Sequence, residues 1–146
     1  MTQHEGRCLC GAVSFTIQDL RKDYGTCHCK MCQRWAGSAL LAVTVEDAQI
    51  RFEGEDHIGR FQSSDWAERA FCTTCGTGLW YRVTIPGPHQ GEYEIPIGLL
   101  DNSNGLEMTR EIFIDLKPDA FAFDGDREQL TEAQVLALYG QTTEGA

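Results

Sequence analysis

The chain has 146 residues, 42% of them apolar and 23% charged, with a formal net charge of −10. Its length suits one domain with a real core, and its Phe, Trp, Tyr, Ile, Leu and Val content excludes wholesale disorder. No apolar run approaches the roughly 20 residues of a membrane span, and the acidic balance repels nucleic acid unless a local basic patch intervenes.

The elements expected in chain order are short strands separated by turns. Val13, Phe15 and Ile17 alternate with Ser14 and Thr16, the pattern of a half-buried strand. A short helical turn is expected around Gln33-Arg34-Trp35, and Ala39 to Val45 reads as a continuous apolar strand. Ile50-Arg51-Phe52 and Ile58-Gly59-Arg60-Phe61 flank Glu53-Gly54-Glu55-Asp56, which predicts a hairpin. Arg69-Ala70-Phe71 leads into Cys72 and Leu79 to Val83 leads away from Cys75, a zinc-ribbon-like strand–knuckle–strand unit. Pro86-Gly87-Pro88 is a loop. Tyr93 to Leu99 and Glu111 to Leu116 are further strands. A helix is expected over 131–139, with Thr131 as N-cap, Gln134 as capping-box partner and Gly140 at its end. Val135, Leu136 and Leu138 supply its apolar contacts, and Gln141 to Ala146 should fray. These elements read as a mainly β chain of short strands with one short C-terminal helix.

All seven cysteines fall in three clusters: Cys8-Leu9-Cys10, Cys27-His28-Cys29-Lys30-Met31-Cys32, and Cys72-Thr73-Thr74-Cys75. Met1 to Gly6 contains no signal-peptide core. A cytoplasmic location is expected, where dense thiols serve metal or catalysis more often than disulfides. An odd total cannot close as intramolecular disulfides, but it divides into four plus three. Cys72-x-x-Cys75-Gly76 has zinc-knuckle spacing and needs a partner pair, which Cys8-x-Cys10 can supply. The alternative is two pairs of buried free thiols. Cys27, Cys29 and Cys32 place three thiolates within six residues, and His28 between two of them would point away. One zinc position stays open there, the form expected when metal does chemistry. Three thiolates around Zn2+ carry a net charge near −1, poor for activating water and well suited to holding an external thiol. The alternatives are a second closed site completed by a distant His, Asp or Glu, an iron–sulfur cluster, or a redox switch.

His57 and His89 fall in turns and read as surface residues, His4 as frayed tail. His28 stands between support for the open site, contact with a substrate carboxylate, and simple exposure. Trp66 and Trp80 suit core or pocket wall, and Trp35 suits pocket wall. Arg7, Arg21, Lys22, Lys30 and Arg34 are too few to read nucleic-acid sequence. They suit a small anionic ligand, or serve only as solubilising charge.

Gly6-Arg7-Cys8-Leu9-Cys10-Gly11-Ala12-Val13, Cys27-His28-Cys29-Lys30-Met31-Cys32-Gln33-Arg34-Trp35-Ala36-Gly37-Ser38-Ala39 and Arg69-Ala70-Phe71-Cys72-Thr73-Thr74-Cys75-Gly76-Thr77 together resemble the glutathione-dependent formaldehyde-activating enzymes (GFA), which share a domain with centromere protein V. The resemblance spans roughly Gly6 to Phe123, within one domain taken as 1–146. It implies a mainly β domain of small coiled sheets, a β-tent. It implies a structural zinc on Cys8, Cys10, Cys72 and Cys75 and a catalytic zinc on Cys27, Cys29 and Cys32, two Zn2+ per chain. It also implies carbon–sulfur lyase chemistry joining glutathione and formaldehyde as S-hydroxymethylglutathione. Glu111 to Asp119 looks like the family's C-terminal stretch, but many members carry Trp where Ala120 stands. If that aromatic lines the pocket, the pocket here is different. The expected function is a zinc-dependent carbon–sulfur lyase acting on a thiol adduct, with a small thiol such as glutathione as partner and neither nucleic acid nor membrane. The alternatives are a non-enzymatic zinc-binding module and a thiol redox sensor.

Overall fold

The alternation around Phe15 builds what it predicts. In a computed structural model that describes residues 2–140, β2 (Ser14–Gln18) lies between β1 (Gln3–Arg7) and β5 (Ile50–Glu53), antiparallel to both. Phe15 and Ile17 are buried, and the Phe15 and Phe52 rings meet at 5.7 Å between centroids. The sequence reading did not foresee β1. His4, expected in a frayed tail, pairs with Ile17 in that strand. Gln3–Arg7 has no apolar rhythm and is held mainly by backbone pairing, which periodicity cannot report.

The strands divide between two compact units. The first consists of Ala42–Leu106 with the chain up to Lys22, the second of Asp23–Leu41 with the chain from Glu107 on. Besides the three strands above, the first unit contains β4 (Leu40–Val45, through Ala42–Val45), β6 (Ile58–Gln62), β7 (Ala67–Cys72), β8 (Gly78–Val83) and β9 (Tyr93–Pro96). They pair antiparallel in the order β4-β9-β8-β7-β6. Phe52 packs on Trp80 and Tyr93 with centroid distances of 4.6 and 5.5 Å. This aromatic cluster joins the two sets of strands within the unit.

The hairpin expected at 50–61 does not form. β5 pairs with β2, whereas β6 pairs with β7. A 3-10 turn at Glu55–His57 separates them. Gly54, at φ +90°, runs so close to the chain that a Cβ there would lie 1.9 Å from the Ala12 carbonyl oxygen. That backbone approach directs β5 and β6 into different sheets. The strand expected from Tyr93 to Leu99 ends at Pro96 and continues as a 3-10 turn, Ile97–Leu99.

The second unit contains β3 (Asp23–Cys27), α1 (Lys30–Ala36), β10 (Glu107–Ile112), β11 (Glu128–Leu130) and α2 (Glu132–Tyr139). β10 runs parallel to both β3 and β11. The strand expected at Glu111 to Leu116 thus lies earlier in the chain. Phe113 adopts a left-handed conformation at φ 55°, and Ile114–Leu116 forms a 3-10 turn. A bulky residue held there stores strain, and it is buried directly after the strand.

α2 matches its sequence signals. The Thr131 hydroxyl accepts from the Gln134 N–H at 3.3 Å, the Thr131 N–H donates to Gln134 Oε1 at 2.7 Å, and the helix ends at Gly140. Val135 is buried, but Leu138 faces outward. Thr131→Ala is expected to cost about 1 kcal/mol, read as a lower melting temperature by circular dichroism. Among the described residues no helix is long and apolar enough to cross a membrane. The fraying expected at Gln141 to Ala146 lies outside the described residues.

Candidate metal centre

Two cysteine clusters could hold a metal ion, one in each unit. In the first unit, Cys8 follows β1 and Cys10 lies in the turn before β2, while Cys72 ends β7 and Cys75 lies in the turn before β8. The four sulfurs lie within 4.8 Å of one another. Cys8 Sγ and Cys10 Sγ are 3.7 Å apart, Cys10 Sγ and Cys72 Sγ 3.8 Å. Sulfurs about 2.3 Å from a tetrahedral zinc are separated by about 3.8 Å, so the donor set fits that ion. The knuckle closes with the Gly76 N–H donating to the Cys72 carbonyl at 2.8 Å. Gly76 has φ +81°, a left-handed turn that glycine adopts without steric cost. The Val13 N–H donates to Cys8 Sγ at 3.4 Å. Thr77 joins the two halves: its hydroxyl accepts from the Leu9 N–H at 3.1 Å and lies 3.1 Å from Cys75 Sγ.

Proton affinities differ across this cluster. The Thr77 hydroxyl and backbone N–H bring the Cys75 thiol down to about 5. The Ala12 N–H favours the Cys10 thiolate, but burial and the neighbouring thiols outweigh it and push Cys10 up to about 11. Without a cation the four thiols cannot readily ionise together, and a divalent metal removes that conflict.

In the second unit, Cys27 ends β3, Cys29 is the N-cap of α1 and Cys32 lies in its first turn. The Cys29 sulfur accepts from the Cys32 N–H at 3.3 Å. α1 therefore starts before Cys32 and contains it, where the sequence suggested a turn that follows it. The three sulfurs lie within 4.8 Å of one another and all three residues are buried. Among the described residues no fourth His, Cys, Asp or Glu joins the set. Sulfur contacts from Cys29 and Cys32, with burial, raise the Cys27 thiol well above its ordinary value. This donor set also fits a cation that stabilises several thiolates at once. All seven cysteines are free of disulfides.

His28 is not exposed. Its Nε2 lies 2.8 Å from Glu111 Oε1, and its ring stands 5.9 and 6.2 Å from the rings of Phe121 and Phe123. Its backbone N–H donates to the Ile112 carbonyl at 3.0 Å, and its carbonyl accepts from Gln33 Nε2 at 2.7 Å. Glu111 Oε2 accepts from Arg127 Nη1 at 2.8 Å and Gln129 Nε2 at 3.2 Å. Arg127 also donates to the Asp124 carbonyl. Burial raises the Glu111 carboxyl, but the hydrogen bonds from His28, Arg127 and Gln129 win and hold it below its ordinary value. An ionised Glu111 makes Nε2 the protonated ring nitrogen. His28 Nδ1 is buried without a hydrogen-bond partner among the described residues.

Sequence reading missed Glu111, Arg127, Gln129, Phe121 and Phe123. Strict alternation through Glu111–Leu116 would bury Ile112 and Ile114, but Glu111 and Phe113 are buried instead. His57 and His89 are exposed. Trp66 and Trp80 are core residues. Trp35 is half-buried on α1 and does not line the neighbouring cavity, whereas Ala120 does.

The chain is similar to known proteins. A family model described as glutathione-dependent formaldehyde-activating enzyme matches residues 3–116. An uncharacterized lyase of Schizosaccharomyces pombe is 29% identical over 136 residues, 93% of this chain and 96% of that protein. A Halomonas elongata protein, provisionally named a glutathione-dependent formaldehyde-activating enzyme, is 31% identical over 84 residues, 52% of this chain and 54% of that one. A crystal structure of a Rhodobacter sphaeroides protein superposes with a TM-score of 0.54 at 26% identity, covering 67% of this chain and 88% of that one. With the match extending over residues 3–116, the chain belongs to the glutathione-dependent formaldehyde-activating enzyme family.

Proposed function

We propose that the protein is a zinc-dependent carbon–sulfur lyase acting on adducts between a small thiol such as glutathione and a small aldehyde such as formaldehyde. Cys8, Cys10, Cys72 and Cys75 would hold a structural zinc. Cys27, Cys29 and Cys32 would hold the second, catalytic ion. The observation that carries this reading is the difference in donor number: four sulfurs at one centre, three at the other, and no further donor among the described residues. A zinc ion with a free position would stabilise the thiolate form of an incoming sulfur. In the forward direction the sulfur forms a bond to the carbonyl carbon, the C=O π bond breaks, and the thiol proton ends on the oxygen, giving a hydroxymethyl thioether. The lyase direction reverses these changes. The hydrogen bonds from His28 to Ile112 and Glu111 hold the Cys27–Cys29 turn in place, so its sulfurs meet the ligand already oriented. The chain's relatives support a lyase assignment: one is named a lyase, another a formaldehyde-activating enzyme.

Burial of all three sulfurs favours a second reading, a closed zinc module without catalysis. Metal analysis separates the two. Two zinc ions per chain are expected, one easily chelated and perturbed by glutathione. Cys29→Ser should abolish the glutathione response and keep the four-cysteine ion and the fold. Two equally inert ions, indifferent to glutathione, would sink the enzymatic reading.

A further inference from the structure

We infer that the cavity beside α1 is an anion subsite that receives the carboxylate of a small thiol ligand, with Lys30 and Arg34 as its hooks. The sulfur end of this inference rests on the proposed thiol chemistry; the cavity itself does not. It encloses about 380 Å3, with Lys30, Gln33, Arg34, Ser38, Ala120 and Phe121 among its walls. No acidic side chain lines it, in a chain where acids outnumber bases 22 to 12.

The polar groups around the cavity divide into spent and unspent. The Gln33 amide is committed to the His28 and Leu116 carbonyls at 2.7 and 3.1 Å. The Ser38 hydroxyl donates to the Ala39 carbonyl. Lys117, outside the lining, sits over the Phe121 ring at 5.1 Å. Arg34 has neither a hydrogen bond nor an ion pair among the described residues, and Lys30 has only a 3.4 Å contact to Gln33 Oε1. Residues four apart on a helix share a face, with Cβ atoms about 5–6 Å apart, so the two cations project side by side. A planar guanidinium beside an ammonium suits a carboxylate, which can accept two parallel N–H bonds from the arginine. An anionic ligand approaching a chain of net charge −10 needs such a local positive potential.

Two of the walls, Gln33 and Phe121, touch His28, the residue between two of the cysteines. Gln33 stands four residues after Cys29, one helical turn away at about 6 Å. Phe121 lines the cavity and also meets the ring of His28, the residue between Cys27 and Cys29. Lys30, Cys32 and Arg34 stand on one seven-residue helix, so a small ligand with its sulfur at the cysteines would extend its carboxylate toward the two cations. That describes a carboxylate-bearing thiol the size of an amino acid or a short peptide, in preference to a neutral thiol.

The test uses the full-length protein with zinc at the four-cysteine centre and Co2+ at the other. Glutathione, cysteine, glutathione monoethyl ester and 2-mercaptoethanol are titrated against the cobalt–sulfur absorption. Glutathione and cysteine represent the peptide and amino-acid sources of the same chemistry. The Lys30→Ala/Arg34→Ala double variant should weaken whichever of the two binds by roughly 10- to 100-fold, as loss of charged hydrogen bonds predicts. It should leave 2-mercaptoethanol unchanged, and the ester should bind the native protein less tightly than glutathione does. Ala120→Phe, which narrows the cavity, should reproduce the selective loss with the melting temperature retained. Equal loss for charged and neutral thiols, or no loss for either, would overturn the subsite while leaving the thiol chemistry standing. If no thiol alters the cobalt spectrum of the native protein, the proposed function fails and the subsite fails with it.

Discussion

Cys75→Ser is expected to cost more stability than any other single change in the first unit. Cys10 and Cys72 lie 62 residues apart in the chain, yet their sulfurs are 3.8 Å apart. A metal at this centre staples the turn between β1 and β2 to the knuckle between β7 and β8. A structural zinc of this kind contributes about 10–16 kcal/mol of apparent free energy at neutral pH, comparable with or larger than the roughly 5–15 kcal/mol by which a domain is stable. Losing one of four thiolates forfeits enough of this to threaten folding. Thr77 also lowers the Cys75 thiol, which favours the thiolate form that a metal binds. The expected result is a zinc content reduced by one ion per chain and a melting transition that is strongly lowered or lost. A variant that keeps both ions and melts within a few degrees of the native protein would show that this cluster is not the staple. Chelating the ion from the native protein should produce the same destabilisation.

The second large effect is expected at Glu111. This carboxylate is buried and accepts from His28, Arg127 and Gln129. Removing one partner from a buried charged network costs about 3–5 kcal/mol, because the remaining charge loses its counter-charge without regaining water. Glu111→Ala should approach that figure in urea unfolding. Glu111→Gln should cost less, since its amide oxygen can still accept from His28. Folding holds the Glu111 carboxyl below its ordinary value of 4.5. Its stabilisation is therefore in place above about pH 4.5 and is lost as pH falls through the depressed folded value. The gap in stability between native protein and Glu111→Gln should narrow over that acid range. A constant gap from neutral pH to acid unfolding would show that the network is not held by the ionised carboxylate.

Different residues made different parts of the fold legible. Thr131, Gln134 and Gly140 marked α2 because capping is local: the groups that satisfy the helix end lie within three or four residues of it. The alternation through Val13, Phe15 and Ile17 marked β2 because one side of it is core. β1, β3 and β11 escaped, being short segments without an apolar rhythm whose place is set by backbone pairing with other strands. The hairpin at 50–61 failed for a related reason. Ile50 and Ile58 have suitable spacing, but the close approach of Gly54 to Ala12 decides which partner each strand takes.

The candidate site divides along the same line. Ligand spacing is a local property, so the cysteine pattern by itself determined the four-plus-three grouping and the resemblance to a thiol-handling family. Two residues between thiols, or one, is a distance that the backbone imposes wherever the segment lies. Only the tertiary structure decided the surroundings. It set Glu111, 83 residues along the chain, against His28, and it left Lys30 and Arg34 facing a cavity with no acid in its walls. Those contacts depend on the parallel pairing of β3 with β10 and on the left-handed turn at Phe113. Neither follows from the neighbours of any one residue, because the free energy of a buried charge is set by groups that only the folded chain brings together.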